Sequence, residues 1–242
     1  MQVFEAMKPD RELAKKLDAI VQGTLVDGRA QTEALVASVV SAGGTSEQEL
    51  IRMLGDSSLD PELRADICWL IPRLELDGAE KLLEPLMAEP SDKLREEAAV
   101  GLGLVAQDTS IEVLLKAMEQ DASRSVRRAA LHALGIFSPP RAAPHVMKLL
   151  LDPNEDEETR ADAAEALAHF RHEGIVEVLI DQLRDASAKV RYSAAYSLGQ
   201  QGDGTAIEPL REISLRDHAA TPWGSVSSSA RNALDELERR DA

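Results

Sequence analysis

A ten-residue phrase that returns about every 32 residues most strongly limits how this chain can fold. Its clearest copy, VRRAALHALG, occupies residues 126–135. Other copies begin at residues 63, 94, 159, 190 and 226, and the arginine of the phrase recurs at spacings of 31, 32, 33 and 31 residues. Repetition at a fixed period of this length is typical of stacked helical arrays.

Each copy follows a second segment with helical periodicity, so the repeat unit is a helix pair. The preceding segments are residues 46–55, 79–88, 111–120, 142–151, 175–184 and 206–215. Two more helices are predicted upstream, at residues 10–22 and 30–42. Pro85 falls late in its segment and predicts a kink or a shortened helix. The sequence therefore predicts an all-α fold of about seven antiparallel helix pairs.

The phrase V-R-x-x-A-A-x-A-L-G on such helix pairs resembles HEAT-like repeats of the bilin-lyase (PBS-lyase) type. The clear match covers residues 46–237, and the N-terminal pair is included by architecture only. The resemblance implies a right-handed α-α superhelix, a HEAT-like or armadillo-type solenoid. We expect a single domain over residues 1–242, with a divergent helix pair at 1–45, core repeats at 46–203 and a C-terminal capping repeat at 204–242.

The arginine of the phrase has an acidic residue six positions before it in three copies. The resemblance implies that these groups form a polar ladder between neighbouring repeats, which is a structural role. The expected ladder residues are Arg64, Arg95, Arg127, Arg160, Arg191, Glu89, Asp121 and Asp185.

Helical periodicity divides the phrase among three faces when Val126 is counted as position 0. Positions 0, 4, 7 and 8 pack on the partner helix, and positions 1 and 5 face a neighbouring repeat. Position 5 is small or apolar until the last copy, where Arg231 indicates a C-terminal cap. Positions 2, 3 and 6 point away from the partner helix, and in HEAT-like solenoids this side is concave. The residues expected to bind a partner on this face are Trp69, Glu96, Val100, Arg128, His132, Glu165, Tyr192 and Tyr196.

Two insertions interrupt the period. Residues 152–158 (DPNEDEE) are strongly acidic and are expected to form a solvated loop. Residues 218–225 (HAATPWGS) carry Trp223, for which a binding element and a cover for the end of the stack are both open interpretations.

Composition narrows the classes of function. The net charge of −16 and the pI near 4.7 argue against binding to nucleic acid. The single cysteine, Cys68, excludes an intrachain disulfide and a cysteine-based zinc site.

No signal pattern and no 18-residue apolar run is present, so we expect a cytoplasmic protein without membrane contact. The histidine pair His169 and His172 lacks a matching set in an adjacent repeat, and neither a metal nor a cofactor is expected.

Three functions are compatible with these features, and a non-enzymatic role is favoured because no catalytic motif occurs. The leading hypothesis is a protein–protein interaction scaffold or adaptor that binds a protein or peptide on its concave face. The first alternative is a tetrapyrrole-handling protein that resembles bilin lyases or bilin-detachment factors, with His132, Tyr192 and Tyr196 stacking on the ligand. The second is a metal-dependent hydroxylase that resembles deoxyhypusine hydroxylase. That enzyme uses several His–Glu pairs to hold iron, whereas this chain has one, His172–Glu173.

Overall fold

The computed structural model describes residues 9–24 and 26–241, and these residues form fourteen α-helices arranged in sequence as seven pairs, as the repeat predicts. The helices are α1 Arg11–Gly23, α2 Val26–Ser41, α3 Glu47–Gly55, α4 Pro61–Leu70, α5 Ala79–Leu83, α6 Asp92–Val105, α7 Ile111–Gln120, α8 Arg124–Phe137, α9 Ala143–Leu151, α10 Glu157–Ala166, α11 Ile175–Gln182, α12 Ala188–Gln201, α13 Ile207–Arg216 and α14 Val226–Asp241. The even-numbered helices from α4 onward carry the repeated phrase, and we call them the second helices.

Local chemistry sets several helix ends. Ser46 Oγ accepts a hydrogen bond from the Glu49 backbone N–H at 3.2 Å, which satisfies one of the unpaired donors at the start of α3. Asp10 caps α1 in the same way. The predicted shortening at Pro85 is confirmed, because α5 passes into a 3-10 helix at Glu84–Ala88. Pro85 has no N–H to donate to the α-helical ladder.

The structure divides into two compact units between Val113 and Leu114, a boundary inside α7. The predicted single domain over residues 1–242 stays a prediction. Its limits at residues 1 and 242 lie outside the described residues.

The first unit is held together by buried leucine and isoleucine side chains, among them residues of α1, α3 and α4. Leu17, Leu50 and Ile67 are all at least 99% buried. Lys16 links α1 to its neighbours, because its ammonium donates to Glu47 at 2.6 Å and to the Leu74 carbonyl oxygen at 3.0 Å. Cys68 is also buried in this unit, and burial raises the pKa of its thiol.

In the second unit, the second helices pack in succession, α8 against α10, α10 against α12 and α12 against α14. The packing positions of the phrase are buried as expected: Val126, Ala130 and Leu134 have no exposed surface. Close approach of α12 and α14 depends on Gly199, where an added Cβ would lie 3.0 Å from the Ala233 Cα. In α14 the flank carries Arg231, which is exposed.

The insertion at residues 218–225 forms a small antiparallel hairpin, which the sequence analysis did not predict. Its strands are β1 Ala220–Thr221 and β2 Gly224–Ser225. Gly224 has a backbone φ of +135°, which residues that carry a Cβ atom rarely adopt. Among the helices that the structure describes, none has the length and apolar character needed to cross a membrane.

Candidate functional site

Arginines of the phrase connect each repeat to the next within both units. Arg64 donates to Glu89 at 2.7 Å, and Arg160 reaches Asp185 at 2.5 Å. The carboxylate in each case belongs to the turn before the following second helix. The hydrogen bond from Arg64 holds the pKa of the Glu89 carboxyl below its usual range. These bonds therefore fix the spacing of consecutive repeats.

Two of the three acidic residues that stand six positions before an arginine, Glu89 and Asp185, each bind two arginines. The backbone carbonyl of each accepts from the arginine of its own repeat, as in Arg191 to Asp185 at 2.8 Å and Arg95 to Glu89 at 2.8 Å. The Asp185 and Glu89 carboxylates instead bind the arginine of the preceding repeat. Arg127 likewise donates to the backbone carbonyl of Asp121, the acidic residue six positions before it, at 3.1 Å.

The acidic insertion at residues 152–158 is bound to neighbouring helices, contrary to the expectation of a solvated loop. Both carboxylate oxygens of Glu155 accept from Arg127, at 2.6 and 3.0 Å. Asp156 and Glu158 lie against Arg124 of α8. Glu158 also accepts from Lys189 of α12 at 3.0 Å. The insertion therefore supplies the carboxylate that Asn154 lacks, and it links α8, α10 and α12.

The face residues predicted in the first unit are half-buried. Trp69 is covered on its ring face by the Arg73 guanidinium, whose Cζ lies 3.7 Å from the ring centroid. Arg73 also donates to the Trp69 carbonyl oxygen at 2.6 Å. Glu96 and Val100 are half-buried on α6. The Trp69 ring is thus already stacked within the chain.

In the second unit, α8 and α10 enclose a cavity of about 320 Å³, which we call cavity A. Arg128 and Asp162 form an ion pair of 2.6 Å at this cavity, and the hydrogen bond to Asp162 raises the Arg128 pKa. Ile136 is 52% exposed. The lining residues are Arg128, Leu131, His132, Gly135, Ile136, Asp162, Glu165, Ala166 and His169.

A second cavity of about 240 Å³, cavity B, lies between α12 and α14. Tyr196 is 41% exposed there. Tyr192 is fixed by the hairpin, because its hydroxyl donates to the Trp223 carbonyl at 3.2 Å and the two ring centroids are 5.8 Å apart. The lining residues are Tyr192, Tyr196, Gly199, Gln200, Ser229, Asn232, Ala233, Asp235, Glu236 and Arg239.

Cavity A brings together three predicted residues, Arg128, His132 and Glu165, and cavity B brings together the two tyrosines. Sequence reasoning missed Asp162, although it occupies position 3 of its copy, on the face expected to bind a partner. It also missed the acidic residues that line cavity B, because Asp235 is the last residue of its copy of the phrase and Glu236 follows it, so neither stands at positions 2, 3 or 6. A helical wheel that included position 9 and continued through the rest of α14 would have found them.

The side chains of this chain that could ligate a metal are its histidines, its cysteine and its carboxylates. Across residues 9–24 and 26–241, no group of three or more His, Cys, Asp or Glu side chains is arranged to hold a metal ion. His132 and His169 line cavity A with Asp162, but the Asp162 carboxylate is engaged by Arg128. His172 Nδ1 contacts the Glu173 backbone carbonyl.

Comparison with known proteins gives a curated relative and several solved structures. The chain is 25% identical to deoxyhypusine hydroxylase of Arabidopsis thaliana over 169 residues, which is 68% of this chain and 52% of the relative. The chain thus matches about half the length of that enzyme.

Two solved structures support the fold alone. One is an engineered protein with a TM-score of 0.55 and 21% identity, covering 79% of this chain and 96% of that chain. The other is a computationally designed armadillo repeat protein for modular peptide recognition, with a TM-score of 0.53 and 20% identity, covering 78% of this chain and 98% of that chain.

The family model for HEAT repeats matches residues 79–157 and 154–225, more than half of the chain. These matches cover α5 to α13, including Arg127, Arg160 and Arg191 and the carboxylates that they bind. The chain therefore belongs to the HEAT repeat family.

Proposed function

We propose that this chain is a non-catalytic adaptor that binds a protein or peptide segment on the second helices of its second unit. We call this surface the binding face, defined by the exposed side chains of α8, α10, α12 and α14 around cavities A and B. The observation that carries the proposal is the contrast at position 6. His132, Glu165 and Tyr196 occupy the same place in successive copies, all are exposed, and each has a different chemistry. In contrast, the recurring apolar residues of the phrase, such as Val126, Ala130 and Leu134, are buried between helices.

The composition of the binding face suits a protein partner. Arginine and tyrosine are enriched among the residues that dominate the binding energy of protein interfaces. Ile136 and Tyr196 add exposed apolar surface, at 52% and 41% exposure, beside charged groups. An extended peptide that crosses the second helices would meet cavities A and B in turn.

The first unit contributes less to this proposal. Trp69 is stacked under Arg73, and Glu96 and Val100 are half-buried. A partner that used the Trp69 ring face would first have to displace the guanidinium. A role of Trp69, Glu96 and Val100 in partner binding stays a prediction from the sequence.

Selection from a random peptide library on the immobilised protein tests the proposal. Enriched peptides should bind the wild type and lose affinity by tenfold or more for a His132→Ala/Tyr196→Ala double variant, because interface hot spots cost about 2 kcal/mol or more when truncated. The matched control is Leu215→Ala, which alters a side chain that is 71% exposed on α13. Equal affinity for all three proteins would refute the proposed face.

The similarity to a deoxyhypusine hydroxylase supports a metal-dependent hydroxylase as the alternative function. The residues fit such a centre poorly, because the one adjacent His–Glu pair lies at a turn and Asp162 is committed to Arg128. Elemental analysis of protein purified without added metal tests this alternative. Stoichiometric iron would favour it over the adaptor.

The resemblance to bilin-lyase repeats motivates a tetrapyrrole-handling role. That role requires His132, Tyr192 and Tyr196 to share one ligand. His132 of α8 lines cavity A, whereas the two tyrosines belong to α12 and line cavity B. Helix α10 packs between α8 and α12. Absorbance after incubation with a bilin tests this role, and a shifted spectrum with co-elution would support it.

A further inference from the structure

We propose that cavity B is a subsite for the side chain of an arginine in a peptide partner. The inference rests on the proposed function, since it names the chemistry that one part of the binding face recognises. It is argued from a tyrosine-lined cavity whose lining includes Asp235, a carboxylate that receives no side-chain hydrogen bond from the residues that the structure describes.

The walls of cavity B come from two helices in close contact. Gly199 of α12 faces Ala233 of α14, and even a methyl group at Gly199 would crowd the Ala233 backbone. Gly199 and Ala233 both line the cavity, which has a volume of about 240 Å³. This volume suits a single side chain.

Two tyrosines provide the aromatic side of cavity B. Tyr192 is held by its hydroxyl bond to the Trp223 carbonyl, and Ser229 Oγ donates to the Tyr192 carbonyl at 3.0 Å. Tyr196 is one helical turn further along α12 and leaves 41% of its surface exposed. Aromatic faces attract cations, and a planar guanidinium stacks on them particularly well.

The charged groups of cavity B leave one carboxylate available. Arg239 is paired with Glu236 at 3.0 Å, and its Nε donates to the Asp235 backbone carbonyl. Within the described part of the chain, no side chain donates to the Asp235 carboxylate. The lining therefore carries an excess negative charge in a protein of net charge −16.

This arrangement favours an arginine over other side chains. A guanidinium can stack on a tyrosine ring and donate two parallel hydrogen bonds to a carboxylate. A lysine ammonium would gain the charge attraction without the bidentate geometry. A neutral or acidic side chain would gain neither contribution.

Binding of N-acetyl-arginine amide, followed by NMR on isotope-labelled protein, tests the subsite without any selected peptide. The probe should shift the amide signals of Tyr196, Gly199 and Asp235. N-acetyl-citrulline amide, which has nearly the same shape without the charge, should bind at least tenfold more weakly. The affinity for the arginine probe should also fall as salt is added.

Variants assign the interaction to named groups. Asp235→Asn should weaken arginine binding about tenfold, as expected for a hydrogen bond to a charged group. Tyr196→Leu should weaken it about threefold, in line with an exposed cation–π contact. Asp181→Asn is the matched control, because it removes an exposed carboxylate of α11 in the same unit. Both altered residues of cavity B are exposed, so an unchanged unfolding midpoint should accompany the loss.

The outcomes separate this inference from the proposed function. Equal binding of the arginine and citrulline probes, or an Asp235→Asn variant with wild-type affinity, would overturn the arginine subsite. Library peptides would then still test the adaptor proposal independently. A library that yields no peptide would overturn the adaptor proposal, whereas selective arginine binding would still support the subsite.

Discussion

Arg127 binds both carboxylate oxygens of Glu155, a residue of the acidic insertion, at 2.6 and 3.0 Å. The two side chains are 19% and 9% exposed, so the pair is largely shielded from water. Arg127 also donates to the Asp121 carbonyl. The insertion interrupts the repeat pattern in the sequence. Its Glu155 nevertheless supplies the carboxylate that binds the arginine of the preceding repeat, as Glu89 and Asp185 do elsewhere.

Removing this carboxylate should destabilise the protein. Glu155→Ala leaves the Arg127 charge without its partner, and we expect the free energy of unfolding to fall by about 2 kcal/mol. Urea denaturation of the variant measures the loss. Glu173→Ala, which alters an exposed residue in a turn, should leave the denaturation midpoint unchanged. Equal midpoints for both variants would show that the pair contributes nothing.

The bond between Arg64 and Glu89 should depend on pH with a definite sign. The hydrogen bond from Arg64 lowers the pKa of Glu89 in the folded state, from an ordinary value of about 4.3. The Arg64–Glu89 bond therefore stabilises the fold fully at pH values above the ordinary pKa of a glutamate. Its contribution is lost as the pH falls through the lower pKa of Glu89 in the folded protein.

Glu89→Gln should accordingly reduce the free energy of unfolding by about 1.5 kcal/mol near neutral pH. The difference between variant and wild type should shrink as the pH falls below about 4, because protonation removes the same charge from the wild type. Denaturation at a series of pH values measures this gap. A gap that stays constant or widens in acid would contradict the assignment.

Two helical glycines should respond in opposite directions to alanine. At Gly199 a Cβ would lie 3.0 Å from the Ala233 Cα, so Gly199→Ala must push α12 and α14 apart. We expect a net loss of about 1 kcal/mol despite the higher helix propensity of alanine. At Gly135 the nearest atom is the Ala166 Cβ at 3.6 Å, an ordinary contact. Gly135→Ala should therefore stabilise by about 0.5 to 1 kcal/mol. Thermal unfolding of the two variants checks the signs, and a shared sign would contradict the packing argument.

The flank at position 5 should tolerate charge only in the last repeat. Ala195 is completely buried on α12, so Ala195→Arg should reduce the free energy of unfolding by more than about 3 kcal/mol. Arg231 occupies the same position in α14 and is exposed. Arg231→Ala should leave the unfolding midpoint nearly unchanged. A large destabilisation by Arg231→Ala would contradict the interpretation of α14 as a terminal cap.

Much of the helical organisation could be predicted because the repeat places the same constraint on every copy. Val126, Ala130 and Leu134 recur with a period that only a packed helix satisfies, and Pro85 and Ser46 mark local ends by chemistry that acts within a few residues. These signals do not depend on distant parts of the chain.

The contacts that sequence reasoning missed depend on residues far apart in the chain. Glu155 is 28 residues from Arg127, and Asn154 stands where the repeat pattern would place a carboxylate. Trp223 reaches Tyr192 only because residues 220–225 form a hairpin. No periodic signal indicates that contact. Cavity B likewise depends on the close approach at Gly199, which a helical wheel of one helix cannot reveal.

The most direct test of the adaptor proposal is NMR mapping of a library-selected peptide on the wild-type protein. We expect the largest shifts on exposed residues of α8, α10, α12 and α14, including His132, Glu165 and Tyr196. Shifts concentrated instead on α9, α11 and α13 would contradict the proposed binding face.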